Sequence, residues 1–245
     1  MAIAVAQADT VQMKTFLVLA FLALGSASAQ AAEPETAAAR TIVLVRHGHY
    51  AADPSIDEKI GPGLSPIGVA QARLAGGRLA GWLAPFDARY VSPMQRARDT
   101  AASIGVAAPL PAWEVVDDLA ECTPATRRKE VMNKTTPEER ASCEAALERV
   151  FAKHFVPARG APRSDLFVCH GNVIRYLITR ALGVDSKAWL EMSVGHASIT
   201  RIRVEADGRF KVLSIGDVGH LPPNLATGAT GDGDRSLAVP ELPLR

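Results

Sequence analysis

Two short apolar runs, each ending in a histidine and a glycine, constrain this chain more than any other feature. Thr41-Ile42-Val43-Leu44-Val45 leads into Arg46-His47-Gly48, and Asp165-Leu166-Phe167-Val168-Cys169 leads into His170-Gly171-Asn172. Neither run alternates polar with apolar residues, which is the pattern of a strand covered on both faces in an α/β sheet. Ligands of such sheets gather beyond the carboxyl ends of the strands. Val173 to Leu182 reads as a helix stopped by Gly183. Gly171 allows close backbone approach to a ligand, and the free amides opening that helix favour an anion. Two histidines brought to the same kind of turn therefore predict one shared anion site.

A third element adds positive charge. Ala88-Arg89-Tyr90-Val91 reads as a short strand, with Ser92 as N-cap and Pro93 as first helical residue of the segment after it. Arg96 then lies within the first turn and reaches across the strand ends. Arg98 points elsewhere on the helix and reads as a solvated charge. Imidazole is nucleophilic near neutral pH, and a guanidinium fork matches phosphate oxygens, so His47 beside Arg46 suits a nucleophile waiting for a phosphoryl group.

These segments, together with Leu64-Ser65-Pro66-Ile67-Gly68-Val69-Ala70-Gln71-Ala72, resemble the histidine phosphatase, or phosphoglycerate mutase-like, superfamily. Cys169 to Tyr176, Ser198-Ile199-Thr200 and Gly216 to Pro223 are similar to its serine/threonine protein phosphatase branch known from mitochondria. The resemblance covers residues 41–225 and implies a three-layer α/β/α fold with a mostly parallel central sheet. It also implies that His47 becomes a phosphohistidine. Arg46, Arg96 and His170 would hold the phosphoryl oxygens, His170 as a protonated ring, with the amide of Asn172 as a further donor. Glu121 aligns with the family glutamate that serves as general acid, although Cys122 stands where a glycine is common and Asp117, Asp118 and Glu114 lie nearby. No cofactor is implied.

The other histidines and the cysteines carry weaker expectations. His47 and His49, at i and i+2, have metal-ligand types, but Arg46 would repel a cation and no further ligand follows at suitable spacing, so no metal is expected. His49 reads as a loop residue at the pocket mouth, His196 and His220 as segments near the site, and His154 as surface. Cys169 reads as a packed free thiol. Cys122 and Cys143 either form one disulfide closing the loop that carries Glu121 or, as the sequence slightly favours, remain separate thiols. The 27 Lys and Arg nearly cancel the 26 Asp and Glu, so no general attraction to nucleic acid is implied.

Lys14, the apolar run Phe16 to Leu24 and the small residues Gly25 to Ala31 read as a secretory signal over residues 1–31, with Met13 as an alternative start. An uncleaved anchor is the alternative. The expectation is a periplasmic or secreted protein without stable membrane insertion after cleavage. A flexible leader at 32–40, the domain at 41–225 and a disordered tail at 226–245 would follow. Ser198 to Glu205 and Phe210 to Ile215 read as a hairpin, and Ser65 to Ala84 and Pro137 to Phe155 as helices. The leading functional expectation is a phosphomonoesterase acting on phosphoserine or phosphothreonine in proteins, or on small phosphate esters. A non-catalytic phosphate-binding adaptor and a phosphomutase are the alternatives. The tryptophans at 82, 113 and 189 are isolated, so the oligomerising Trp-Asp motif of the mitochondrial branch is absent; either monomer or dimer is compatible.

Overall fold

The computed structural model describes residues 36–82, 85–107 and 112–228. In chain order the elements are β1 (Ala37–Ala38), β2 (Arg40–Arg46), α1 (Pro66–Ala80), β3 (Ala88–Val91), α2 (Gln95–Ala107), β4 (Glu114–Val115), α3 (Lys129–Met132), α4 (Pro137–His154), β5 (Ala158–Arg159), β6 (Arg163–Cys169), α5 (Gly171–Leu182), β7 (Ile199–Val204) and β8 (Phe210–Asp217). Six strands form one sheet in the order β4-β3-β6-β2-β7-β8. β2, β3, β4 and β6 run parallel, and β7 and β8 form an antiparallel hairpin added to β2. The remaining two strands, β1 and β5, pair separately. Residues 36–40, expected as flexible leader, thus include β1 and the first residue of β2.

The double-sided burial read from the two apolar runs has a direct counterpart. Ile42 and Leu44 pack with Leu147, Ile174 and Leu177 of α4 and α5 on one face. Val43 and Val45 pack with Leu79, Ala97 and Ile104 of α1 and α2 on the other. Side chains alternate across a strand, so a strand sandwiched between helix layers has to be apolar at consecutive positions. Thr136 opens α4 with a reciprocal capping box to Glu139. The 3.6-residue period places Cys143, Leu147 and Val150 on its buried face.

Register does the rest. Arg46 pairs with Cys169 across the parallel β2–β6 ladder, and Val91 pairs with Val168 across β3–β6. The next residues therefore leave the sheet side by side: His47 N donates to Cys169 O at 2.9 Å, and Ser92 N donates to Val168 O at 3.0 Å.

His154, expected at the surface, is buried at 2% exposure. The last turn of α4 lies over the sheet and sets its ring edge-on to Tyr90 and Phe167, at 4.5 and 5.2 Å between centroids. Burial, reinforced by the neighbouring Lys153, lowers its pKa to about 4. The unfolded chain binds a proton near pH 6.5 that the folded chain refuses, so this group costs stability as pH falls from 6.5 towards 4, by up to about 3 kcal/mol. Urea denaturation of His154→Leu is expected to show a shallower acid loss over that window than the parent.

Two glycines fix where α1 meets the site. A Cβ on Gly68 would lie 2.0 Å from His49 O, and one on Gly48 would lie 2.5 Å from Gly68 O, so backbone packs on backbone there. Gly77, later in α1, has open space where a Cβ would sit. Gly68→Ala is expected to lower the melting temperature and displace the His47 turn. Gly77→Ala should stabilise the helix by about 0.5–1 kcal/mol, and thermal denaturation of the pair reads the contrast.

Candidate active site

The strand ends converge as their register requires. His47 is 1% exposed and its Nδ1 lies 2.8 Å from the carbonyl oxygen of Gly48. A carbonyl only accepts, so Nδ1 carries the proton and Nε2 the lone pair. Arg96 Nε donates to that Nε2 at 3.3 Å. Burial, followed by the proximity of His170 and the charge of Arg46, pushes the His47 pKa well below its ordinary value. The result is a neutral imidazole with its unshared electrons turned into the pocket.

Each cradle residue has its own support. Arg46 Nη1 donates to Val194 O at 2.7 Å and its Nη2 lies 3.1 Å from His196 Nε2. Burial lowers its pKa to about 10, which leaves it charged at neutral pH. Gly171 gives it room, since a Cβ there would stand 3.3 Å from Arg46 Nε. Arg96, buried on the first turn of α2, also lies over the Tyr50 ring at 4.9 Å. Helix α2 begins at Gln95, two residues later than expected. Ser92 is consequently freed from simple capping. Its Oγ accepts from Met94 N at 3.3 Å and meets His170 Nε2 at 2.7 Å.

His170 is fully buried, 5.1 Å from His47 between ring centroids. A protonated ring was the expectation here. Burial and then the Arg96 and Arg46 charges push its pKa well down, so the ring is neutral until an anion offsets those charges.

Glu121 closes the pocket, its Oε2 lying 3.8 Å from His170 Nδ1. Burial raises its pKa, opposed by Arg46, Arg96 and Arg175. Of the alternatives, Asp118 is tied to Arg149 at 2.7 Å and Glu114 to Lys153 at 3.6 Å, while Asp117 opens a short 3-10 turn. Asn172 stands beside the cradle with its side-chain amide engaged elsewhere: Nδ2 donates to Cys122 O at 3.0 Å.

Four buried atoms at the site, Arg46 Nε, Glu121 Oε1, His170 Nδ1 and Arg175 Nε, have no hydrogen-bond partner among the described residues. Such atoms are costly in a dry interior and mark a site shaped for a polar guest. The donor atoms of His47, Glu121 and His170 lie within 4.8 Å of one another, a set of types that could hold a metal ion. The guanidinium groups of Arg46 and Arg96 in the same pocket oppose a cation there.

Three contributors were missed or underweighted in the sequence. Ser92 reads as a helix cap, and only the β3–β6 register brings it to His170. His196 stacks near His47 at 5.5 Å and is held by Thr227, which is buried although the sequence places it in the tail. Burial and Arg46 lower the His196 pKa to about 3. Arg175 sits three residues after Asn172, and that helical spacing was a signal available in the sequence. His49 packs by its Nδ1 against Ser65 Oγ at 2.8 Å, and His220 lies 3.1 Å from Ala197 O. Arg98 is exposed, as expected.

Residues 42–218 match the model of histidine phosphatase superfamily (branch 1). The chain belongs to that superfamily. It is accordingly a phosphatase. It is 36% identical over 205 residues to the mitochondrial serine/threonine-protein phosphatase Pgam5 of Caenorhabditis elegans, covering 78% of this chain and 68% of that one. It is 34% identical over 196 residues to the Homo sapiens PGAM5, with 78% and 66% covered. Among solved structures it is similar to phosphoglycerate mutase from Plasmodium falciparum, with a TM-score of 0.54, 25% identity, and 76% of this chain and 95% of that chain covered. The phosphoserine phosphatase of Entamoeba histolytica shares the fold, with a TM-score of 0.52, 19% identity, and 75% and 100% covered.

These relatives correct the expected localisation. The Caenorhabditis elegans and Homo sapiens proteins are mitochondrial by name, which overturns the periplasmic or secreted assignment made from residues 14–31. An apolar run of nine residues after a lysine is a general membrane-targeting composition and does not by itself select a compartment. Residues 1–31 lie outside the described residues.

The cradle predicts a measurable anion affinity. Arg46→Ala and Arg96→Ala are each expected to weaken inhibition by orthovanadate by about 10–100-fold, the worth of one charge-assisted hydrogen bond. Dose–response curves against the parent check this.

Proposed function

We propose that this phosphatase hydrolyses phosphomonoesters through a phosphohistidine on His47, with phosphoserine and phosphothreonine side chains of proteins as substrates. The observation that carries the reading is the His47 tautomer: a proton fixed on Nδ1 by Gly48 O leaves Nε2 as a nucleophile inside a cationic pocket. In the first step the Nε2 lone pair forms a bond to phosphorus as the ester P–O bond breaks. The leaving alkoxide takes the proton of Glu121, whose raised pKa suits a general acid. Arg46 and Arg96 balance charge on the equatorial oxygens, and His170 joins them by taking up a proton once the dianion offsets its repulsion. In the second step Glu121, now a carboxylate, takes a proton from water as its oxygen attacks phosphorus. The P–N bond breaks and the electron pair returns to Nε2.

A protein substrate suits the mouth of the site. A cavity of about 490 Å³ lined by Tyr50, Pro54, Ile56, Met94 and Arg96 shares Glu58 and Glu121 with a second of about 710 Å³. The serine/threonine-protein phosphatase relatives support the same substrate class.

His47→Ala is expected to abolish turnover, and acid-labile, base-stable label from a radioactive phosphoester should appear on the parent alone. Retained turnover in His47→Ala would refute the mechanism. Glu121→Gln should lose about 10²–10⁴-fold in kcat on a phosphoserine peptide but far less on p-nitrophenyl phosphate, whose leaving group departs without a proton. Because Glu121 acts protonated in the first step, kcat/KM on the peptide should fall as pH rises through its pKa, and Glu121→Gln should lack that limb. A panel of phosphopeptides and small phosphate esters tests the substrate class, and preference for the small esters would overturn it.

A further inference from the structure

Glu121 lies in a stretch, Ala120 to Ala125, that is neither helix nor strand. Such a stretch has no ladder to hold a carboxyl in place, yet proton transfer needs its donor fixed to within a fraction of an ångström. The structure ties this stretch down at the very next residue. Cys122 Sγ is bonded to Cys143 Sγ, on the buried face of α4, with the Cα atoms 5.7 Å apart. The disulfide, against which the sequence slightly leaned, ties the loop to α4. Cys122 O also accepts from Asn172 Nδ2 at 3.0 Å. Asn172 lies in the first turn of α5, and its Oδ1 lies 3.5 Å from Arg175 Nη1. Glu121 is thus held between α4 and α5 by the residue that follows it.

We propose that the Cys122–Cys143 disulfide and the Asn172 side-chain amide form a bracket that positions Glu121 for proton transfer, and that a dithiol reductant opens it. The proposal rests on Glu121 being the proton donor. Asn172 becomes a positioning residue rather than a phosphate ligand. Opening is ordinary thiol–disulfide exchange: one thiolate of the dithiol attacks a bridge sulfur, its second thiol displaces the mixed disulfide, and two electrons pass to Cys122 and Cys143. Both end as thiols, and the reductant ends as a cyclic disulfide. The phosphate cradle does not depend on the bracket. Arg46 is held by Val194 O, His170 by Ser92 Oγ, and Arg96 rests on His47 and Tyr50. Opening should therefore lower kcat and leave binding of the phosphoryl group unchanged.

The test uses the full chain, with kcat and KM for a phosphoserine peptide and for p-nitrophenyl phosphate, and orthovanadate inhibition. These are measured before and after dithiothreitol treatment, with bridge opening followed by thiol titration and folding by circular dichroism. The expected result is a fall in peptide kcat of about tenfold with KM and vanadate inhibition unchanged, and a smaller fall for the aryl ester. Cys143→Ser should match the reduced enzyme and lose its response to dithiothreitol. Asn172→Ala should lower peptide kcat with the same selectivity. Peptide kcat unmoved by verified opening of the bridge would overturn the proposal, as would purified chain with three free thiols or weaker vanadate inhibition in Asn172→Ala. Should Cys143→Ser fail to fold, reduction of the native chain still decides. Failure of the underlying reading is separate: it would appear as peptide turnover in Glu121→Gln equal to the parent's.

Discussion

The parallel pairing of β2 with β6, and of β6 with β3, is the constraint on which everything else in this molecule depends. The ladder aligns Arg46 with Cys169 and Val91 with Val168, so three chain segments leave the sheet at one level. Residues 46–48, 92–96 and 170–172 are far apart in sequence, and only this alignment makes them neighbours. A slip by one residue would turn Ile42 and Leu44 to the face now filled by Val43 and Val45. It would also carry His47 away from His170. The cost of such a slip across two packed helix layers keeps the geometry of the candidate site in place.

Positive charge concentrated in a buried pocket has two consequences that reinforce one another. Burial, reinforced by that charge, lowers the pKa of both His47 and His170, which keeps the His47 lone pair available. The same charge also opposes the effect of burial on Glu121, whose pKa burial nevertheless raises. One set of guanidinium groups thus acts on His47, His170 and Glu121 together. The same field disfavours a cation among donor atoms that otherwise have metal-ligand chemistry.

Much of this was legible from residues read in order. Unalternating β-branched runs identify strands buried on both sides, and a histidine at the end of each identifies the site. Ser65, Thr136 and Gly183 mark helix ends through local hydrogen bonding and backbone geometry, which need no tertiary information. Other features are invisible at that level. His154 follows a polar helical segment and gives no sign that Tyr90 and Phe167 will cover it. Ser92 has the composition of a cap, and Thr227 sits in a stretch without periodicity, because their partners lie on distant segments.

The sequence by itself determined the fold class, the two histidine-bearing strand ends and the arginines beside them, since these follow from local pattern and side-chain chemistry. Only the tertiary structure decided which protonation states that chemistry adopts. Burial and the mutual approach of charges are properties of the packed molecule, and they set His170 neutral where a protonated ring was expected. Tertiary packing likewise joined Cys122 to Cys143 and turned the Asn172 side chain towards the Cys122 carbonyl, because both contacts require α4 and α5 to flank the loop that carries Glu121.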